Sequence, residues 1–146
     1  MMERDEILTL LPHRDPFLMV DRLLELEPNK RAVGVKYVRA DEDWARGHFP
    51  GNPILPGVLI AEALAQVAAL IFLAENRDRA RTIVYLVGVD KIRFRRPVRP
   101  GDELRLTVDV TGGKRRIWTF DGLATVDGTR VADGSFLATI QQEEPS

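Results

Sequence analysis

The residues able to move protons are few and close together. The stretch GHFPGNPILPGVLIAEALAQ, residues 47–66, carries His48, then prolines at 50, 53 and 56, then an almost wholly apolar run broken by Glu62 and Gln66. Apolar surroundings disfavour an ionised carboxylate, so such a residue persists where something offsets its desolvation. Glu62 and Gln66 are four apart and share one helical face, a narrow polar stripe on a greasy rod. The stripe also fits a helix whose polar edge simply meets solvent or a neighbouring strand. His48 sits in the loop that delivers the chain to this helix, and the three prolines stiffen that loop by fixing φ. Gly57 falls at the expected helix start, where unpaired N–H groups and a partial positive charge favour a ligand oxygen and the missing side chain lets it approach. A base, an acid and an oxyanion site together suit proton removal α to a carbonyl. Helix initiation alone accounts for Gly57 equally well.

The rest of the chain narrows the chemistry. Cysteine is absent, which removes disulfides, thiolate nucleophiles and thiolate metal sites. The only serines are Ser135 and Ser146, and no G-x-S-x-G elbow occurs. There is no phosphate-binding glycine fingerprint. With His13 and His48 the only histidines, a zinc site would need carboxylates at no recognisable spacing. No metal or cofactor is expected, and a formal net charge of −1 does not point to nucleic acid or a membrane surface. MMERDE lacks the apolar core of a signal peptide, and the 17-residue run Val58–Ala74 reads as a buried helix rather than a membrane span. A cytoplasmic protein is expected.

The elements that must position these groups follow from periodicity. RDEILTLLP predicts a short helix stopped at Pro12, and FLMVDRLLELEP and RAVGVKYVRA predict two strands joined at EPNK. Residues 41–57 predict a long loop, and Val58 to about Asn76 a helix apolar nearly all round, which must be buried. NRDRAR returns the chain to solvent. TIVYLVGVDKIRFRRPV and DELRLTVDVT predict strands, the latter with Leu104, Leu106, Val108 and Val110 on one face. A GGKRR turn, IWTFDGLATV, a DGT hairpin and RVADGSFLATIQQ follow, with EEPS as a frayed tail. The expectation is one α+β domain over residues 1–146, an antiparallel sheet curled around one helix.

HFPGNPILPGVLIAEALAQ resembles the signature of the Z-type β-hydroxyacyl-ACP dehydratases of fatty-acid synthesis. LPHRDPFLMVDR at 11–22 and VGVDKIRFRRPVRPGDEL at 87–104 resemble that family's opening and later motifs, in matching order and spacing. The resemblance implies the hotdog fold, a long central helix wrapped by an antiparallel β-sheet. It implies dehydration of (3R)-3-hydroxyacyl-ACP thioesters to trans-2-enoyl-ACP. His48 matches the family's catalytic histidine, Glu62 its catalytic acid, and Gly57 the glycine whose N–H binds the thioester carbonyl. The related A type, which also isomerises the double bond, has aspartate at the acid position, so Glu62 favours dehydration alone. Asp15 departs from the family, where an aromatic residue is common in HR-x-PF. The family draws histidine and acid from different subunits, which implies a homodimer, and Z-type enzymes assemble as trimers of dimers.

DKIRFRRPVR bears on the partner. Alternation predicts Lys91, Arg93 and Arg95 on one strand face, opposite Ile92 and Phe94, with Arg96 and Arg99 extending a basic patch. Such a patch suits an acidic acyl carrier protein or its phosphopantetheine arm, and equally a solvated strand face balanced by nearby carboxylates. His13 is read as structural rather than catalytic, with a place near the site left open. Three rivals remain: a hotdog thioesterase, a non-catalytic acyl-binding or scaffold subunit, and a CoA-linked hydratase.

Overall fold

The computed structural model describes residues 1–76, 82–114 and 116–142. Most of NRDRAR, Arg115 of the GGKRR segment and the EEPS tail lie outside those residues. In chain order come α1 (Arg4–Leu10), β1 (Arg22–Glu27), β2 (Arg31–Tyr37), a 3-10 turn (Asp43–Arg46), α2 (Gly57–Leu73), a second 3-10 turn (Ala74–Asn76), β3 (Thr82–Phe94), β4 (Glu103–Lys114), β5 (Ile117–Val126) and β6 (Thr129–Gln142). The six strands form one antiparallel sheet in the order β1-β2-β4-β5-β6-β3.

The sheet holds α2 against one face. Leu104, Leu106 and Val108 of β4 are fully buried on the face that alternation assigns them, while Val110 is only partly buried. Every residue of α2 from Gln66 to Leu73 is buried, so the C-terminal half of the helix is enclosed. Phe120 anchors this core, stacked on Phe136 with ring centroids 5.4 Å apart and edge-on to Phe72 at 5.7 Å. Asp127 and Gly128 both adopt positive φ, at 50° and 79°, as a two-residue hairpin between β5 and β6 requires.

Three expectations change in detail. Only Arg22–Glu27 of the first predicted strand pairs, because Phe17–Val20 is tied instead to α2. Gly112 and Gly113 extend β4, opposite Thr119 and Trp118, rather than forming a turn. In β3 a bulge between Asp90 and Arg93, with Lys91 at φ 52°, breaks the alternation expected through DKIRF.

The two sheet edges differ. β1 is partly covered by a backbone bridge from Met2 to Leu23. β3 pairs with β6 alone and leaves Tyr85, Leu86, Val87 and Val89 about half exposed. A long apolar edge of this kind is a template for another chain.

Phe120→Ala is expected to remove about 3–5 kcal/mol of stability, since it empties a fully buried ring site. Chemical denaturation followed by circular dichroism measures it, and a loss under about 1 kcal/mol contradicts the assigned core.

Candidate active site

His48 is fixed by its own loop. Its N–H donates to the Trp44 carbonyl at 3.0 Å, and its carbonyl accepts from Ile54 N at 2.7 Å. Phe49 and Asn52 exchange backbone hydrogen bonds, and Leu55 N donates to the Val98 carbonyl at 2.7 Å. Arg99 Nη1 donates to Asn52 Oδ1 at 2.7 Å, so this arginine braces the loop. His48 Nδ1 lies 2.7 Å from the Ile54 carbonyl. A carbonyl only accepts, so the ring proton sits on Nδ1 and Nε2 keeps its lone pair. Upstream, a buried pair between Lys36 Nζ and Glu42 Oε1 at 2.6 Å, with Arg39 N on Glu42 Oε2 at 2.8 Å, holds the chain entering the 3-10 turn.

Gly57 opens α2. Pro56 caps the helix without a side-chain hydrogen bond; its carbonyl accepts from Leu59 N at 3.0 Å and Ile60 N at 3.4 Å, which leaves the N–H groups of Gly57 and Val58 uncapped. A Cβ at Gly57 would lie 2.8 Å from the ring of Phe94, the half-exposed last residue of β3. A side chain there would have to displace that ring, so glycine suits the close approach.

Glu62 lies one turn further on. Gln66 is buried, its Oε1 accepting from Met19 N and its Nε2 donating to the Phe17 carbonyl, each at 2.8 Å. Gln66 Nε2 also lies 3.5 Å from Glu62 Oε1. His13 Nε2 lies 3.5 Å from the same oxygen, and the two side chains are 25% and 22% exposed. Glu62, His13 and Gln66 border a cavity of about 180 Å³, walled by Ala65 and Ala69 of α2, Val84 and Leu86 of β3, and Phe136 and Ala138 of β6. A more open depression of about 880 Å³, beside Gly113 and Ile117, touches none of the predicted site residues.

The predicted residues do not share one cavity in this chain. His48 does not line the cavity that Glu62 borders. Gly57 and Glu62 are five residues apart on α2, which turns them about 140° from each other. The His48 loop leads into Gly57, which lies against Phe94, and Glu62 lies with His13 and Gln66 beside β3, as two separate groups.

The basic residues divide. Lys91, Arg93 and Arg95 border one depression of about 420 Å³ with Arg130, Asp121, Asp133 and Ser135, despite the bulge. Arg95 Nε donates to Asp133 Oδ2 at 2.5 Å, which holds the Asp133 carboxyl below its ordinary value of 3.8 and raises the guanidinium. Arg96 is exposed with its backbone N–H on Val131, and Arg99 belongs to the His48 loop. Sequence reasoning missed Arg130, the Lys36–Glu42 pair and the placement of His13 against Glu62. Only the HR-x-PF motif carried a signal for the last. Asp15, the departure in that motif, pairs with Arg4 at 3.1 Å.

A helix wrapped by one antiparallel sheet, with a histidine loop at one end of the helix and a carboxyl on its flank, defines a hotdog-fold domain equipped for acid–base chemistry. Residues 11–135 match the FabA-like domain, and the chain belongs to that family. It is 51% identical over 144 residues to the 3-hydroxyacyl-[acyl-carrier-protein] dehydratase FabZ of Myxococcus xanthus, covering 98% of this chain and 94% of that protein. It is 46% identical to the protein of the same name from Geotalea uraniireducens, over 97% of this chain and 99% of the relative. Among solved structures, the dehydratase heterocomplex ApeI:P from Xenorhabdus doucetiae superimposes with TM-score 0.81 at 17% identity, covering 94% of this chain and 91% of that one. PH1136 from Pyrococcus horikoshii does so at TM-score 0.69 and 13% identity, over 89% of each chain. These two likenesses concern the fold.

The Arg95–Asp133 pair yields a pH prediction. The folded value of Asp133 is depressed, so the pair contributes above the ordinary carboxylate range and fades as pH falls through it. Exposure keeps the contribution small. The titration midpoint of the Asp133 carboxyl, followed by ¹³C NMR, is expected to rise in Arg95→Gln, and an unchanged midpoint contradicts the assigned cause.

Proposed function

We propose that the protein dehydrates (3R)-3-hydroxyacyl thioesters carried on acyl carrier protein to trans-2-enoyl thioesters in fatty-acid elongation, without moving the double bond. The observation that carries this reading is the His48 tautomer: Nδ1–H is committed to the Ile54 carbonyl, so Nε2 is the free base. The names of the closely similar relatives supply the substrate class. His48 Nε2 takes the C2 proton while the first-turn N–H of Gly57 receives the charge that develops on the thioester oxygen. The C2–H electron pair becomes the C2=C3 bond, the C3–O bond breaks, and Glu62 gives its proton to the departing hydroxyl, which leaves as water. Proton return from His48 to Glu62 through solvent restores both groups. Oxyanion stabilisation of this kind contributes about 10²–10³-fold.

The two half-sites and the open β3 edge support a homodimer, in which the His48–Gly57 half of one copy faces the Glu62 half of the other. Continuing the sheet across β3 covers Tyr85, Leu86, Val87 and Val89. Three such dimers forming a hexamer is the further assembly we infer. The depression bordered by Lys91, Arg93, Arg95 and Arg130 suits an acidic carrier protein. Among the described residues no helix is long and apolar enough to cross a membrane, and we place the enzyme in the cytoplasm as one domain over residues 1–146.

His48→Ala and Glu62→Gln are each expected to lower dehydration of a 3-hydroxyacyl-ACP by about 10²–10⁴-fold with the fold intact. The assay follows conjugated enoyl thioester and free thiol together. Thiol released without enoyl product would make the protein a thioesterase, and full activity in either variant would remove that residue from the mechanism. Val89→Lys is expected to lower the mass seen by light scattering and the activity with it. A variant that keeps the wild-type mass argues against pairing through β3.

A further inference from the structure

His13 has a position that a structural histidine does not need. It lies in the segment between α1 and β1, which is secured on both sides of it. Arg14 donates to the carbonyls of Leu8, Leu11 and His13 at 3.1, 2.9 and 2.7 Å. Gln66 grips Phe17 and Met19. The imidazole is thereby set at the cavity of about 180 Å³ with Nε2 towards Glu62 Oε1. Its other nitrogen, Nδ1, is buried and has no hydrogen-bond partner among the described residues. A proton on Nδ1 would have no acceptor, whereas a proton on Nε2 has Glu62 Oε1. The geometry therefore favours the tautomer that turns its N–H toward Glu62.

Both neighbours of Glu62 converge on one oxygen. His13 Nε2 and Gln66 Nε2 each lie 3.5 Å from Oε1, and no hydrogen bond is made to Oε2 among the described residues. Gln66 donates to Oε1 and His13 Nε2 faces it at 3.5 Å, so a carboxylic acid here carries its proton on Oε2. We infer that His13 is a positioning residue: by donating to Oε1 it fixes the Glu62 carboxyl so that Oε2 presents the proton to the departing hydroxyl. This rests on the dehydration reading above and assigns one residue's part in it. Gln66 already spends its amide on Phe17 and Met19, so the histidine is the neighbour whose side chain has no other bond to make.

The test combines kinetics with imidazole NMR on the purified full-length protein. His13→Ala is expected to lower kcat on a 3-hydroxyacyl-ACP about 10- to 100-fold, as misplacing a reacting group does, with KM and melting temperature near wild type. His13→Gln, whose amide N–H reaches from a similar point, is expected to recover most of that loss. In a Glu62→Gln background, His13→Ala is expected to cost little more, because its effect runs through the carboxyl. An unchanged kcat, a loss confined to KM, or a full multiplicative loss in the Glu62→Gln background overturns the proposal. ¹⁵N spectra of the wild type are expected to show the His13 proton on Nε2, with a shift that moves in Glu62→Gln. A proton on Nδ1, or no response to that substitution, overturns the proposal independently of turnover. Absence of enoyl product from the wild type would overturn the dehydration reading, and the spectra would still decide the His13–Glu62 contact.

Discussion

The structure depends on enclosing a helix that is apolar on nearly every face. The C-terminal half of α2, from Gln66 to Leu73, is buried completely, and the six-stranded sheet curls to reach it. Apolar burial on this scale is the main favourable term in folding, and it makes an unpaired polar group costly. Gln66 is the test of that rule, and it meets it by bonding the backbone of Phe17 and Met19 through both ends of its amide. That bond decides why Phe17–Val20 leaves the sheet and why His13, a few residues earlier, arrives beside Glu62.

The N-terminal half of α2 is less enclosed, and the chemistry gathers there. Val58 is 73% exposed, and the N–H groups of Gly57 and Val58 are uncapped. An exposed, electropositive helix start is a ready acceptor for a developing oxyanion only if it is held still. Here the holding is done by backbone hydrogen bonds through His48, Ile54 and Leu55, and by Arg99 on Asn52. The buried Lys36–Glu42 pair extends that bracing upstream. The histidine needs no carboxylate to orient it, because a main-chain carbonyl sets its tautomer.

Much of this was legible in the residues. β5 and the DGT hairpin were readable because turn chemistry demands particular φ values, and α2 because only a buried helix tolerates that composition. The loop ahead of α2 announced itself through its prolines. The failures have equally local causes. Phe17–Val20 has strand-like composition, but its backbone is claimed by Gln66 from 47 residues away, a contact with no sequence period. The bulge at Lys91 carries no glycine to mark it. Gly112 and Gly113 look like a turn, yet the strand runs on through them. His13 reads as structural with a place near the site left open, and its partner Glu62 has no sequence pattern that betrays it. The proposal of a composite site came from the resemblance alone; the angle between Gly57 and Glu62 on α2 and the open edge of β3 are the physical observations that support it.

The central claim is that His48 of one copy works with Glu62 of another. Complementation tests it most directly. His48→Ala and Glu62→Gln proteins, each reduced to a small residual activity, are unfolded, mixed in equal amounts and refolded together. If the half-sites come from different copies, half of the dimers are mixed and each has one intact site and one doubly defective site. Activity then returns to about a quarter of wild type. Mixed dimers shown to form by mass spectrometry, yet without activity above the parents, would contradict the shared site and place His48 and Glu62 of one chain in the same reaction centre.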